Sequence, residues 1–264
     1  MIDPKKLDEI ARKLGIGKYE SKPNQSNNEP NSSLPTGISI TELDDRYVLD
    51  GISYRNGLYQ VSWGKELLDG GKCYTQKDWL ALQNKGELGE YIIPDAPLYH
   101  ASLFALNNAK NGSQDQLVKE ISKMFRKDFA DFFMTTSSRV FYRANGLDEI
   151  KHMLGTDEEY SVELDFCGKD GWLNATCGFE ESIDALLGTK DLAEVEDIYN
   201  WVSGKKPYLW RINDKPQQDL ERCVVLGVDS NGDGFGILAN GDVDNERPAR
   251  GVVVGKFFSS GNKR

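Results

Sequence analysis

The chain has only two histidines, His100 and His152, and four cysteines, Cys73, Cys167, Cys177 and Cys223, in 264 residues. No Cys-x-x-Cys pair occurs, and two histidines with scattered thiols give no ligand spacing for zinc or an iron–sulfur cluster. Widely spaced cysteines in a chain long enough to build its own core read as reduced thiols rather than a disulfide framework. Cys167 and Cys177 alone have a spacing that suits a bridge across two strands.

Long apolar runs are absent too. Nowhere do about 18 apolar residues follow one another, and Met1-Ile2-Asp3-Pro4-Lys5-Lys6 opens a charged stretch rather than a secretory leader. The expectation is a cytoplasmic protein with no membrane span. Positive charge is in deficit, with 32 basic against 42 acidic side chains and a formal charge of −10. Such a balance repels phosphate backbones and anionic lipid, which makes nucleic acid and membrane poor partners.

What is present is core-forming material: 11 Phe, 11 Tyr and 5 Trp within a 39% hydrophobic composition. A chain of this size buries about 70% or more of its unfolded surface, enough for one large domain without staples.

Residues 1–20 carry a helix signal. Asp3 suits an N-cap, Pro4 suits the first turn, and Leu7, Ile10 and Leu14 recur at helical spacing. Residues 21–36 are rich in Asn, Ser and Pro and poor in large apolar groups, which predicts a flexible linker. The globular body is expected over 37–264, with a subdomain division near 136 as an alternative.

Within the body, Tyr47–Tyr54 and Leu58–Trp63 flank Asn56-Gly57, a pair suited to a type I′ hairpin turn. Thr75 and Asp78 open a helix carrying Trp79, Leu80 and Leu82, and a second helical run spans Leu98–Ala109. From Ser113 the clearest amphipathic helix places Leu117, Ile121, Met124, Phe125, Phe129, Phe132 and Phe133 on one broad face.

Strands are predicted over Ser137–Arg143 and Tyr160–Phe166, with Leu147–Leu154 ambiguous between them. Helices follow at Glu181–Leu187 and Leu192–Val202, with Gly188 closing the first and Thr189 capping the second. Pro207–Asn213, Glu221–Asp229, Phe235–Ala239 and Gly251–Phe258 make the C-terminal region β-rich. Clustered helices beside clustered strands indicate an α+β fold, mixed helical and antiparallel β, rather than a doubly wound parallel sheet.

Candidate chemistry is sparse. Asp229, Asn231 and Asp233, with Gly234 sixth in the loop, match the first half of a calcium loop, but Asn240 stands where a bidentate carboxylate belongs. The same residues suit a plain hairpin turn, the favoured reading. No Walker or dinucleotide fingerprint survives inspection of spacing. Asp165, Asp170, Glu180 and Glu181 form an acidic group of the kind a hydrolase uses, and helix N-termini attract such residues without function. His152 meeting Cys167 or Cys177 would give a Cys–His pair only with hydrogen-bond reach and a lowered thiol pKa.

The leading expectation is a non-enzymatic protein-binding or accessory protein. Leu7, Ile10 and Leu14 on the leader, with Trp210 and Arg211 on the body, are its contact residues for a protein partner or self-association. The alternatives are a hydrolase with an acidic, metal-assisted site and a Ca²⁺-stabilised structural module.

Overall fold

Local sequence signals account for most of the elements in the computed structural model, which describes residues 38–155, 158–229 and 232–256. The leader helix and linker expected over 1–36 lie outside the described residues, as does Asn231. A short strand β1 (Ser39–Glu42) leads into β2 (Arg46–Tyr54) and β3 (Gly57–Leu67), which pair antiparallel. The hairpin forms where expected, but its turn is shifted by one residue. Tyr54 pairs with Gly57, so Arg55 and Asn56 make the loop and Arg55 takes φ +50°. A left-handed arginine is uncommon, and it is held here by contacts described below.

Helix α1 (Gln76–Asn84) is capped by Thr75, whose hydroxyl accepts from the Asp78 N–H at 3.1 Å. Helix α2 (Ala96–Ala109) is capped by Asp95, which accepts from the Leu98 N–H at 2.8 Å, and has Pro97 in its first turn. Both caps satisfy amides that a helix start leaves orphaned. Helix α3 (Asp115–Asp131) buries Val118, Ile121, Phe125 and Phe129. It stops before Phe132 and Phe133, and Phe132 is exposed, so the apolar face is shorter than its sequence pattern.

Strands β4 (Met134–Tyr142), β5 (Asp148–Leu154) and β6 (Glu158–Leu164) form an antiparallel meander. The ambiguous segment is thus a strand, with buried and half-buried positions alternating along β5. After a two-residue β7 (Gly171–Trp172) come α4 (Glu180–Leu187) and α5 (Leu192–Ser203). Gly188 closes α4 with φ +78°, a conformation that favours glycine. Asp191, not Thr189, caps α5, accepting from the Glu194 N–H at 3.0 Å. Strands β8 (Pro207–Trp210), β9 (Leu220–Val228), β10 (Phe235–Gly241) and β11 (Arg250–Lys256) follow.

The strands form two sheets. One is antiparallel with order β1-β2-β3-β11. The other has order β6-β5-β4-β9-β10-β8-β7 and is antiparallel except for β8 against β10. The body is therefore α+β, as composition and pattern indicated. Position 136 falls inside β4, and the described elements belong to one compact unit.

Helix α2 touches β2 of the smaller sheet and β4 and β9 of the larger, so the main core lies around it. Trp63, Tyr99 and Phe125 meet there, with Trp63 4.8 Å from Tyr99 and 5.0 Å from Phe125 between ring centroids. Burying each such side chain is worth on the order of 1.5–3 kcal/mol.

Strand β4 departs from an apolar pattern. Thr135, Thr136, Ser137 and Ser138 are all buried, and the ladder with β9 shifts register across them. Three of the four hydroxyls find partners: Thr136 Oγ1 donates to the Val224 carbonyl at 2.7 Å, Ser137 donates to Met153, and Ser138 meets His152, while Thr135 Oγ1 has none among the described residues. Gln76 donates from α1 to the carbonyls of Thr136 and Ser138 at 2.7 and 2.9 Å. A buried polar bulge is tolerated only when so supplied.

Candidate functional site

The two histidines of the chain line one cavity of about 580 Å³. Helices α2, α4 and α5, strands β5 and β6 and the β2–β3 turn build it. Helix α2 turns Pro97, His100, Ala101 and Phe104 toward it at helical spacing, while Leu98, Leu103 and Leu106 are buried in the core. Strand β6 supplies Tyr160, Val162 and Leu164 by period-two alternation, Glu163 borders the cavity between the last two, and His152 lies opposite Tyr160 in register. Glu181, Asp184 and Ala185 come from one face of α4, and Glu194 from α5. The turn of the β2–β3 hairpin closes the remaining side with Arg55 and Asn56.

Beneath the turn lies a buried polar network. Arg55 pairs with the fully buried Asp95 at 3.0 Å, and Tyr54 donates to the same carboxylate oxygen. Burial and the adjacent Asp95 raise the Tyr54 pKa, so the phenol remains a donor. The Arg55 guanidinium also stands 5.0 Å over Tyr54 and 5.3 Å over Tyr160. These contacts hold the left-handed residue at the turn.

His152 is saturated. Its Nε2 lies 2.8 Å from the Ala185 carbonyl and its Nδ1 2.7 Å from Ser138 Oγ, which itself accepts from the Ala96 N–H at 2.9 Å. The tautomer follows: Nε2 carries the proton and Nδ1 accepts from the serine. Burial lowers its pKa and keeps it neutral. With both nitrogens occupied and Ser138 fully buried, this Ser–His contact positions two strands and a helix rather than activating a nucleophile.

His100 differs. Its Nε2 lies 3.2 Å from Glu194 Oε1, its ring stacks on Tyr199 at 5.9 Å, and its buried Nδ1 has no hydrogen-bond partner among the described residues.

The rim is acidic. Lys190 contacts Glu181 at 2.8 Å and Asp184 at 3.8 Å, leaving one lysine between two carboxylates. Glu194 has the His100 ring as its partner. Arg55, the only basic side chain in the lining besides the histidines among the described residues, is already matched by Asp95. The cavity is thus a half-apolar recess with surplus negative charge. A second recess of about 730 Å³ near Asp45, Asp69 and Tyr91 is wider, and there Arg46 engages Asp45 and Lys72 engages Asp69.

The other sequence-derived candidates fall elsewhere. Arg211 turns inward, bonding Phe166 O at 3.2 Å, Lys169 O at 3.1 Å and Ser182 Oγ at 3.0 Å, with the Phe179 ring 5.0 Å away. Trp210 is half-buried and packs on Tyr208 at 4.7 Å. Leu7, Ile10 and Leu14 lie outside the described residues. Asp229 and Asp233 flank a turn in which the Asp229 N–H donates to the Gly234 carbonyl at 2.9 Å, joining β9 to β10 as a hairpin. Among the described residues no three His, Cys, Asp or Glu side chains converge to hold a metal ion.

Of the acidic group, only Glu181 lines the cavity. Asp165 pairs with Lys215 at 3.3 Å, and Asp170 accepts from the Arg211 N–H at 2.8 Å. His152 meets Ser138 rather than Cys167. Burial and the nearby Asp148 push the Cys167 thiol up to about 11, the opposite of a reactive thiolate. The four cysteines are free. No helix among the described residues is long and apolar enough to cross a membrane.

Sequence reasoning missed Arg55, Asp95, Tyr160 and Glu194. The usable signal was the scarcity of histidine, since both copies converge on one place. Comparison of the chain with protein-family models, with curated proteins and with solved structures finds no match.

Proposed function

We propose that this is a binding protein that engages a protein partner through the cavity between the hairpin turn, α2, α4 and β6, and that the group it accepts is a basic side chain. One observation carries the reading: the cavity has an apolar floor and an acidic rim, while its strong donors are already engaged within the protein. Phe104, Val162 and Leu187 offer surface to an aliphatic stem, and Asp184 and Glu194 offer carboxylates to a cationic head. Lysine and arginine combine those two features. A hydrolase is less well supported, because the one histidine in a serine contact has both nitrogens occupied.

The test is an NMR titration of the full chain with Nα-acetyl-lysine methylamide and, separately, Nα-acetyl-glutamate methylamide. Shift changes gathered at Phe104, Tyr160, Val162 and Leu187 for the lysine compound alone support the proposal. Equal changes with the glutamate compound, or none at these residues at tens of millimolar probe, refute it.

A further inference from the structure

Strand β6 both lines the cavity and ends its sheet. It pairs with β5 alone, so over seven residues one row of its backbone N–H and C=O groups has no ladder partner among the described residues. The other edges differ. Strand β7 has two residues and β1 four, and the edge strand β11 is bridged by Ile92, which exchanges hydrogen bonds with Val252 at 2.9 and 3.0 Å. An open edge of this length is a template for another strand unless something guards it.

The guard on β6 is negative charge. Glu159, Tyr160, Ser161 and Glu163 are exposed along it. Glu163 stands directly across the ladder from Glu149, a like-charge pairing that destabilises a sheet. Glu149 is relieved by Arg143 at 3.1 Å and Lys151 at 3.5 Å, and Glu159 by Lys151 at 2.9 Å. The Glu163 carboxylate has no ion pair or hydrogen bond among the described residues.

We infer that the partner arrives as an extended basic segment that adds an eighth strand to the larger sheet along β6. This rests on the cavity reading above and names the form of the partner. In an added strand, successive side chains point to opposite faces. One basic residue enters the cavity beside Tyr160 and Val162, toward Asp184 and Glu194. Its neighbour projects on the other face, where Glu163 lacks a cation. The segment is therefore recognised by two adjacent basic residues in a β-compatible context, main-chain bonds supplying affinity and the carboxylates specificity.

A second copy of this chain does not fit the edge. Antiparallel pairing of β6 with itself about Ser161 brings Glu159 of each copy against Glu163 of the other, adding repulsion instead of relieving it.

The experiment uses the full chain and the capped peptide Thr-Val-Lys-Arg-Val-Thr, with two versions N-methylated at alternate residues in opposite phases. N-methylation removes the amide donors from one edge of the added strand and keeps its charge. The expected result is slowed hydrogen exchange at the alternate, outward-facing amides between Tyr160 and Leu164 with the parent peptide. One N-methyl phase should bind at least tenfold more weakly while the other binds as the parent does, and Glu163→Lys should weaken the parent about tenfold.

Equal affinity of all three peptides, with cavity shifts retained, overturns strand addition and leaves the cavity reading standing. A Thr-Val-Glu-Asp-Val-Thr peptide that binds as well as the parent sinks the cavity reading itself. A concentration-dependent dimer that slows exchange at the same β6 amides without peptide, and that strengthens on Glu163→Lys, assigns the edge to self-pairing and also overturns the inference.

Discussion

Arg250, near the start of the last strand, reaches into the interior and grips Asp128 near the end of α3, with Nη2 2.8 Å from Oδ1 and Nε on the other carboxylate oxygen. A third donor serves the Gly64 carbonyl of β3. Both side chains are almost wholly buried, at 3% and 7% exposure. The pair ties β3, α3 and β11 together at one point.

Removing one partner strands the other. Asp128→Ala is expected to cost about 3–5 kcal/mol, because an uncompensated guanidinium remains in the interior. Asp128→Leu with Arg250→Met should recover most of that loss, since well-packed apolar replacements remove the desolvation problem. Urea denaturation of the single and double variants checks this through the midpoint at constant m. A double variant no more stable than Asp128→Ala would show that the pair contributes more than charge compensation.

Asp148 organises the turn between β4 and β5 and the chain after β6. Its carboxylate accepts from the amides of Arg143, Phe166 and Cys167 at 2.8, 3.0 and 3.1 Å, and Lys215 contacts it at 2.8 Å. Burial alone would raise its pKa, but Lys215 and the three amides outweigh burial and hold it below the ordinary carboxylate value. A depressed folded pKa means stability fully present above the unfolded value of 3.8 and lost as pH falls through the folded one. Asp148→Asn should flatten the acid-denaturation curve below pH 4 and cost about 3 kcal/mol at neutral pH, where an amide –NH₂ meets amide donors. Calorimetry across that window reads both effects.

His152 acts at higher pH. Burial depresses its folded pKa below 6.5, so below 6.5 the unfolded chain takes up a proton that the folded chain refuses. Stability from this residue is complete above 6.5 and declines as pH falls, by at most about 1.4 kcal/mol per unit. His152→Gln removes that proton uptake. The difference in stability between wild type and variant should narrow from pH 7.5 to pH 5.5, while carboxylate contributions common to both cancel. A constant difference would mean that burial does not depress the pKa of the folded ring.

Arg55 is the fixed cation of the cavity wall, and its side chain is 22% exposed. Arg55→Ala leaves Asp95 with Tyr54 and the Leu98 amide, and should cost about 2 kcal/mol after allowing for solvent screening. In a double-mutant cycle with Asp95→Asn the two losses should be less than additive by about 1 kcal/mol. Arg55→Lys will not restore the wild type, since an ammonium cannot stack on Tyr160 and bond Asp95 in one planar geometry.

Local chemistry was legible in the sequence wherever it was written in neighbouring residues. The Thr75–Asp78 cap, the Gly188 terminus of α4, the Tyr160–Val162–Leu164 alternation and the Val228–Phe235 hairpin all follow from spacing of a few residues. The turn at Arg55 was missed by one position because Asn56-Gly57 is the better turn pair locally. Tertiary contacts with Asp95 and Tyr160, distant in sequence, hold the register one residue earlier. Phe132 and Phe133 extend the α3 pattern beyond the helix that carries it, because backbone pairing into β4 competes there.

The site was far less visible. His100, His152, Arg55, Asp95 and Glu194 are brought together by strand pairing and helix packing, and no two of them except His100 and Asp95 share a local segment. Arg211 shows the converse. Its basic aromatic neighbourhood reads as a surface, yet its guanidinium turns to Phe166, Lys169 and Ser182 because those carbonyls and that hydroxyl need donors.

The most direct measurement of the central claim is the affinity of Nα-acetyl-lysine methylamide for wild type and for Asp184→Asn/Glu194→Gln, followed by NMR at the cavity residues. The amide replacements keep shape and the His100 contact while removing two negative charges. The account predicts binding weakened about tenfold, with the wild-type preference for lysine over glutamate probes abolished. Unchanged affinity and preference in the double variant would contradict it.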